Sequence, residues 1–391
     1  MRKAFGNLVG IYHSRFDDNQ RAEVWRNLTG RIENQKPYKI ILGVRSAIFL
    51  PFDNLGLIIV DEEHENTYKQ QNPSPRYHAR DCAIYLSKIF EAKVLLGTAT
   101  PSLETYYNCT IGKYGYVELL QRFKNIDLPE IEIVDTLKAR KEKQMKSIFH
   151  QKLIEQMQIA LNQKEQIILF QNKRGFAPYI QCEDCGEIVK CDHCDVSMTY
   201  HLDINKLVCH YCGSVRSIPG NCEYCGDTHL KTRSFGTQKV EDEIKFFFPQ
   251  ARVARLDIDV SKRKNGYESV LEEFNKHQSE ILIGTQMVTK GLDFENVSLV
   301  GVLDADHLLN FPDFRSNERT FQLITQVSGR AGRSNKRGKV IVQSYSAQNR
   351  VLQQIKTNDF ENFYKKELKE RQEFGYPPFT RFLKIIMIHK E

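Results

Sequence analysis

Leu57-Ile58-Ile59-Val60-Asp61-Glu62-Glu63-His64 runs four aliphatic side chains straight into three acids and a histidine. A short continuous apolar run suits a buried strand, and acids at its carboxyl end lie where open parallel sheets bind ligands. An acid there can hold Mg²⁺ through water, while a neighbouring carboxylate aligns or deprotonates an attacking water. Asp61 and Glu62 are the candidates for these two roles. A solvated acidic turn at the end of a strand reads the same way, so other motifs must decide.

Working outward, apolar bursts ending in small or acidic residues alternate with longer helical patterns. Strands are expected at 9–12, 40–43, 57–60 and 94–97, with amphipathic helices at 17–28 and 78–90 between them. A helix over 148–162 then opens a second series, with strands at 167–170, 252–256, 281–284, 297–303 and 339–344. The pattern is α/β with parallel sheets. The intervening 121–147 is charged and irregular enough for a connection. Another helical stretch, 347–373, is followed by Tyr376-Pro377-Pro378-Phe379 and a final strand over 382–388. The expected organisation is a first lobe over 1–120, a connection over 121–150, a second lobe over 151–350 interrupted by an insertion at 179–232, and the start of a further domain over 351–391.

Three further motifs fall at strand ends of these series. Gly97-Thr98-Ala99-Thr100-Pro101-Ser102 supplies hydroxyls, Thr98 and Thr100, that can bridge a phosphate-sensing acid to a bound nucleic-acid strand. Gly284-Thr285-Gln286-Met287-Val288-Thr289-Lys290-Gly291-Leu292-Asp293-Phe294 offers amides, hydroxyls and an acid. Thr285 and Lys290 are read from it as nucleic-acid contacts, and Gly291 and Asp293, with His64 and Gln326, as nucleotide contacts. Gln326-Val327-Ser328-Gly329-Arg330-Ala331-Gly332-Arg333 places Arg330 and Arg333 three apart on one helical face. Fixed guanidinium forks at that spacing can stabilise charge on a transferred γ-phosphoryl group, or hold a phosphate backbone.

The insertion carries eight of the ten cysteines as four C-x2-C pairs: Cys182/Cys185, Cys191/Cys194, Cys209/Cys212 and Cys222/Cys225. Two such pairs complete one tetrahedral four-sulfur zinc shell, so eight sulfurs make two. The 14 residues between Cys194 and Cys209 nearly match a zinc-ribbon loop, whereas only five separate Cys185 from Cys191. A nested order follows: an inner zinc on Cys191, Cys194, Cys209 and Cys212, and an outer zinc on Cys182, Cys185, Cys222 and Cys225. Gly186, Gly213 and Gly226 each follow the second cysteine of a pair, where a positive φ folds amides back around sulfur. Disulfides are the competing use of these cysteines. His193, His210 and His229 find both shells already closed and are expected at the surface.

The 391 residues allow two or three domains, and a net charge of +7 permits a polyanionic partner without proving one. No secretory signal follows Met1, and no apolar run approaches the roughly 20 residues of a membrane helix. The cytoplasm, with no membrane partner, is the default location.

Taken together, the motifs resemble a superfamily 2 helicase with two RecA-like lobes. Within that group the acidic box, the 97–102, 284–294 and 326–333 motifs and the cysteine array are similar to the primosomal protein N′ family of replication-restart helicases. That resemblance implies an ATP-dependent 3′–5′ DNA helicase, nucleoid-associated, with Mg²⁺, ATP and two Zn²⁺. Its implied partners are forked and single-stranded DNA, single-strand-binding protein and primosome components. It also implies that Leu42-Gly43-Val44-Arg45-Ser46-Ala47 grips DNA through Arg45, and that residues 66–80, with Tyr68, Tyr77 and His78, couple DNA binding to hydrolysis. Aromatics interleaved with Lys69, Arg76 and Arg80 suit that role, since rings stack bases while cations hold phosphates; packing of Tyr68 and Tyr77 against their own lobe is the alternative. ATP would sit between the lobes, with Arg330 and Arg333 facing Asp61 and Glu62. The sequence departs from the family in having no G-x-x-x-x-G-K-[ST]. A chain lacking an N-terminal region with the P-loop, and inactive as an ATPase on its own, is the expectation; a non-catalytic zinc-dependent binding scaffold is the alternative.

Overall fold

The computed structural model describes residues 1–13, 16–31, 36–119, 127–172, 179–194, 196–233, 236–257, 260, 266–289, 294–332 and 336–383. It divides into two compact units, Met1–Ser102 and Leu103–Glu391.

In the first unit, β1 (Val9–Tyr12) pairs in parallel with β2 (Ile40–Gly43), and β3 (Leu57–Asp61) with β4 (Lys93–Gly97). The helix Asp18–Leu28 starts at a capping box in which the Asp17 carboxylate accepts from the Gln20 amide at 2.8 Å and the Gln20 side chain accepts from the Asp17 amide at 3.1 Å. Strand β3 is not buried throughout, as its apolar run suggests. Side chains alternate across a pleat: Val60 is buried, whereas Leu57 and Ile59, with Leu95 of β4, are exposed on the other face.

The second unit contains β5 (Glu130–Asp135), the short hairpin β6 (Met145–Lys146)/β7 (Phe149–His150), β8 (Gln166–Phe170), β9 (Tyr179–Cys182), β10 (Thr199–His201), β11 (Lys206–Val208), β12 (Val215–Ser217), β13 (Leu230–Arg233), β14 (Val253–Leu256), β15 (Ile281–Gly284), β16 (Val297–Val302) and β17 (Lys339–Ser344). A six-stranded, wholly parallel sheet has the order β14-β15-β8-β16-β17-β5. Successive residues of the central strands serve opposite cores. Ile168, Phe170, Leu282 and Val340 pack with the helices Ser316–Ser328 and Arg350–Thr357, while Ile167, Leu169, Ile281 and Ile341 pack with Gln151–Asn162 and Thr237–Phe247. The helix Leu103–Thr110 belongs to this unit: Leu103 is fully buried in it, and the Tyr106 ring meets Tyr364 at 4.6 Å.

Three expectations are corrected here. Residues 121–147 are not merely a connection, because β5 within them forms the sheet's edge beside β17. The helix expected from 148 begins at Gln151, since Phe149 and His150 pair with β6 and the His150 ring accepts from the Lys152 amide at 3.1 Å as its cap. The single helix expected over 347–373 is two, Arg350–Thr357 and Phe360–Glu373, separated by Asn358 in the left-handed region (φ 53°) and by Asp359, which caps the second. The final strand expected over 382–388 falls almost wholly outside the described residues.

Candidate nucleotide and zinc sites

At the end of β3 the three acids part ways. Asp61 is exposed, Glu62 is half-buried with φ 49°, and Glu63 is buried. The Glu63 carboxylate accepts from the Ser102 amide at 2.6 Å, the Ser102 hydroxyl at 3.1 Å and the Arg80 guanidinium at 2.8 Å. Arg80 also donates to Ser102 Oγ at 2.7 Å. This latch joins the acidic box, the 97–102 motif and the end of the aromatic loop, and sequence reading did not find it. It corrects the role given to Arg80, whose guanidinium serves Glu63 and Ser102. The His64 ring and Thr98 Oγ1 share a 2.6 Å hydrogen bond, and Thr98 Oγ1 accepts from the Thr100 amide at 3.0 Å. Thr100 is buried, and its hydroxyl has no hydrogen-bond partner among the described residues.

The loop packs onto its own unit through both tyrosines, Tyr68 on the box and Tyr77 on the Arg45–Phe49 turn. Tyr68 donates its hydroxyl to the Asp61 carbonyl at 2.6 Å; burial, then the Asp61 charge, pushes its pKa up. The Tyr77 ring meets Phe49 edge-on at 4.7 Å, with the Arg45 guanidinium 5.9 Å from its centroid. Arg45 donates to the carbonyls of Thr67 and Lys69 at 3.1 and 3.2 Å, holding the start of the loop. Burial, with Arg80 beside it, lowers His78 to about 4, so it stays neutral near pH 7.

In the second unit Thr285 is buried just past β15, its hydroxyl without a partner among the described residues. Lys290, Gly291 and Asp293 lie outside the described residues, as does Arg333. Gln326 is half-buried on the helix Ser316–Ser328. That helix ends at Ser328, so Arg330, 8% exposed, sits in the turn beyond it rather than on a helical face. Gly332 explains the glycine after Ala331: its φ is +72°, its amide donates to the Val297 carbonyl at 2.9 Å, and a Cβ there would lie 2.2 Å from the Gly338 nitrogen.

The cysteines gather in the nested order, Cys182/Cys185/Cys222/Cys225 and Cys191/Cys194/Cys209/Cys212, the ligand atoms of each group lying within 4.8 Å of one another. Cys182–Cys225, Cys185–Cys222 and Cys191–Cys212 each stand 3.6 Å apart, sulfur to sulfur. Tetrahedral zinc with bonds of about 2.3 Å requires about 3.8 Å, whereas a disulfide requires about 2 Å. The groups therefore fit two zinc ions, and all ten cysteines are free of disulfides. Gly186, Gly213 and Gly226 have φ of +80°, +75° and +79°, and their amides close the turns onto the carbonyls of Cys182, Cys209 and Cys222. His193, His210 and His229 are exposed and outside both groups.

Two family profiles match the chain: the PriA DNA helicase Cys-rich region (CRR) domain over residues 191–216, and the helicase conserved C-terminal domain over 231–335. The replication restart protein PriA of Bacillus subtilis is 43% identical over 387 residues, covering 99% of this chain and 47% of that protein. Its namesake from Haemophilus influenzae is 42% identical over 377 residues (96% and 50%), and that from Synechocystis 39% over 393 (98% and 46%). The chain thus spans about half the length of the curated relatives it matches.

Proposed function

Because the chain belongs to the family of the replication restart protein PriA, we propose that it serves an ATP-dependent DNA helicase acting in the cytoplasm on forked and single-stranded DNA. Movement is 3′ to 5′, and primosome loading at stalled forks proceeds with single-strand-binding protein and other primosome components. The observation that carries this reading is the wiring of the acidic box. Asp61 and Glu62 stand at a strand end while Tyr68, His64–Thr98 and Glu63–Arg80–Ser102 bind the same turn to the aromatic loop and the 97–102 motif. A shift of that turn on nucleotide turnover moves the loop with it. Bound ATP with Mg²⁺ supplies the transferable phosphoryl group and its counter-charge. Asp61 would take the metal's water, Glu62 would orient and deprotonate the attacking water, and Arg330 with Arg333 would stabilise charge on the phosphoryl oxygens. Among the described residues no helix is long and apolar enough to cross a membrane.

The sequence has no P-loop, so nothing of that kind cradles the β- and γ-phosphates. DNA binding without ATP turnover is therefore the expected behaviour of the 391-residue chain assayed alone with forked DNA. Robust DNA-stimulated hydrolysis would show that other residues hold the phosphates. The same absence favours a second reading, a non-catalytic zinc-dependent scaffold. In a form of the protein that does hydrolyse ATP, Asp61→Asn or Glu62→Gln should abolish hydrolysis and spare DNA binding; retained hydrolysis would remove the catalytic roles given to these two acids.

A further inference from the structure

The inner four-sulfur centre has neighbours that the outer one lacks. Tyr211 lies between the ligands Cys209 and Cys212, and its hydroxyl donates to Asp313 Oδ1 at 3.2 Å while accepting from the Phe314 amide at 3.3 Å. The Phe314 ring stacks on Tyr376, centroids 4.6 Å apart and planes 10° from parallel. Tyr376 in turn donates its hydroxyl to the carbonyl of Cys194, another inner ligand, at 3.3 Å. Phe382 closes the cluster 5.8 Å from Tyr211. Behind Phe314, the guanidiniums of Arg315 and Arg371 lie 4.7 and 5.0 Å from its ring, and Arg371 donates to Glu318 at 2.6 Å and to the Pro377 carbonyl at 3.2 Å. The outer centre leans elsewhere: Glu183 pairs with Lys231, Asp184 with Lys141, and Gly186 abuts Tyr345.

We propose that the inner centre and segment 374–383 are linked. Metal at Cys191, Cys194, Cys209 and Cys212 holds the Cys194 carbonyl and the Tyr211 ring where the segment docks, and the docked segment reciprocally tightens metal binding at that centre alone. Linkage demands this symmetry, since each partner raises the other's affinity by the same factor. The proposal rests on the four-sulfur geometry and not on the ATPase reading, so failure of either leaves the other testable.

The test uses the full 391-residue chain, reading hydrogen exchange of 374–383 and the equilibrium partition of zinc between the protein and a colorimetric chelator. Cys212→Ser should speed exchange in 374–383 about tenfold or more, whereas Cys225→Ser, which breaks the outer centre, should leave it within about twofold. Tyr376→Phe keeps all eight sulfurs and the ring, and removes the hydroxyl that donates to the Cys194 carbonyl. Read in the Cys225→Ser background, it should weaken inner zinc affinity about threefold to fivefold, the worth of one neutral hydrogen bond. In the Cys212→Ser background the same change should leave outer zinc affinity unchanged. Continued protection of the segment after inner zinc is gone would overturn the proposal. So would equal effects of the two cysteine variants, or an inner zinc affinity in Tyr376→Phe that matches the parent.

Discussion

Replacing Arg80 with Met tests whether the latch holds the first unit together. The Glu63 side chain is fully buried and Arg80 is 12% exposed, so Arg80→Met takes the cation from a carboxylate that keeps the amide and hydroxyl of Ser102. Breaking a buried pair by removing one partner costs about 3–5 kcal/mol, and the surviving Ser102 donors place this site near about 3. A unit of this size has a urea slope of about 1 kcal/mol/M, so its midpoint should fall by about 3 M. The assay is built in: Trp25, the one tryptophan of the sequence, lies on the helix Asp18–Leu28 of the same unit, and its fluorescence follows that unit's unfolding. Zinc content should not change. Adding Glu63→Met to Arg80→Met removes that carboxylate and should recover about 1–2 kcal/mol. A midpoint shift below about 0.5 M for Arg80→Met, or no recovery in the double variant, would refute the reasoning.

The other expectations are quickly measured. Cys191→Ser or Cys209→Ser should release one zinc of two by metal analysis, with the Cys182 centre still loaded; loss of both would show that the centres are not separate. His78 is held at about 4 against an ordinary 6.5, so the unfolded chain takes the proton first as pH falls. The first unit's stability should be whole above pH 6.5 and decline towards pH 4 by about 2 kcal/mol, allowing for the ring's partial exposure. His78→Gln should flatten that decline in urea titrations read at Trp25. Gly332→Ala meets both a positive φ and the Gly338 backbone, and should lower the second unit's stability by about 3 kcal/mol or more in circular-dichroism melts, with an unchanged Tm as the contrary result.

Strands such as β8 and β15 were legible because a central parallel strand is buried on both faces and must be apolar at every position, which Ile167–Phe170 and Ile281–Gly284 nearly are. The cysteines were legible because metal geometry forces short spacings. Strand β5 was not, because it is an edge. It needs only one apolar face, so Glu130-Ile131-Glu132-Ile133 alternates and reads as charge, while Glu132 pairs with Lys152. Asn358 escaped notice because the apolar pattern carries on through it; only its left-handed φ separates the two helices.

The acidic box shows why spacing could propose the site without assigning its members. Val60 points inward and Asp61 outward, so a strand that simply continued would send Glu62 in and Glu63 out. The chain does the reverse, because Glu62 takes φ 49° and the Glu63 amide donates to the Gly97 carbonyl at 3.1 Å, turning the next side chain back beneath the strand. One residue in the left-handed region thus exchanges the parts of two identical side chains, making Glu63 the structural acid and leaving Asp61 and Glu62 together on the accessible side of the turn. Nothing in the three letters Asp-Glu-Glu encodes that choice. It depends on Arg80 and Ser102, 17 and 39 residues away, being present to satisfy a buried carboxylate. The chemistry assigned to Asp61 and Glu62 is therefore conditional on the latch, and a variant that empties it should disturb their spacing before it touches either residue.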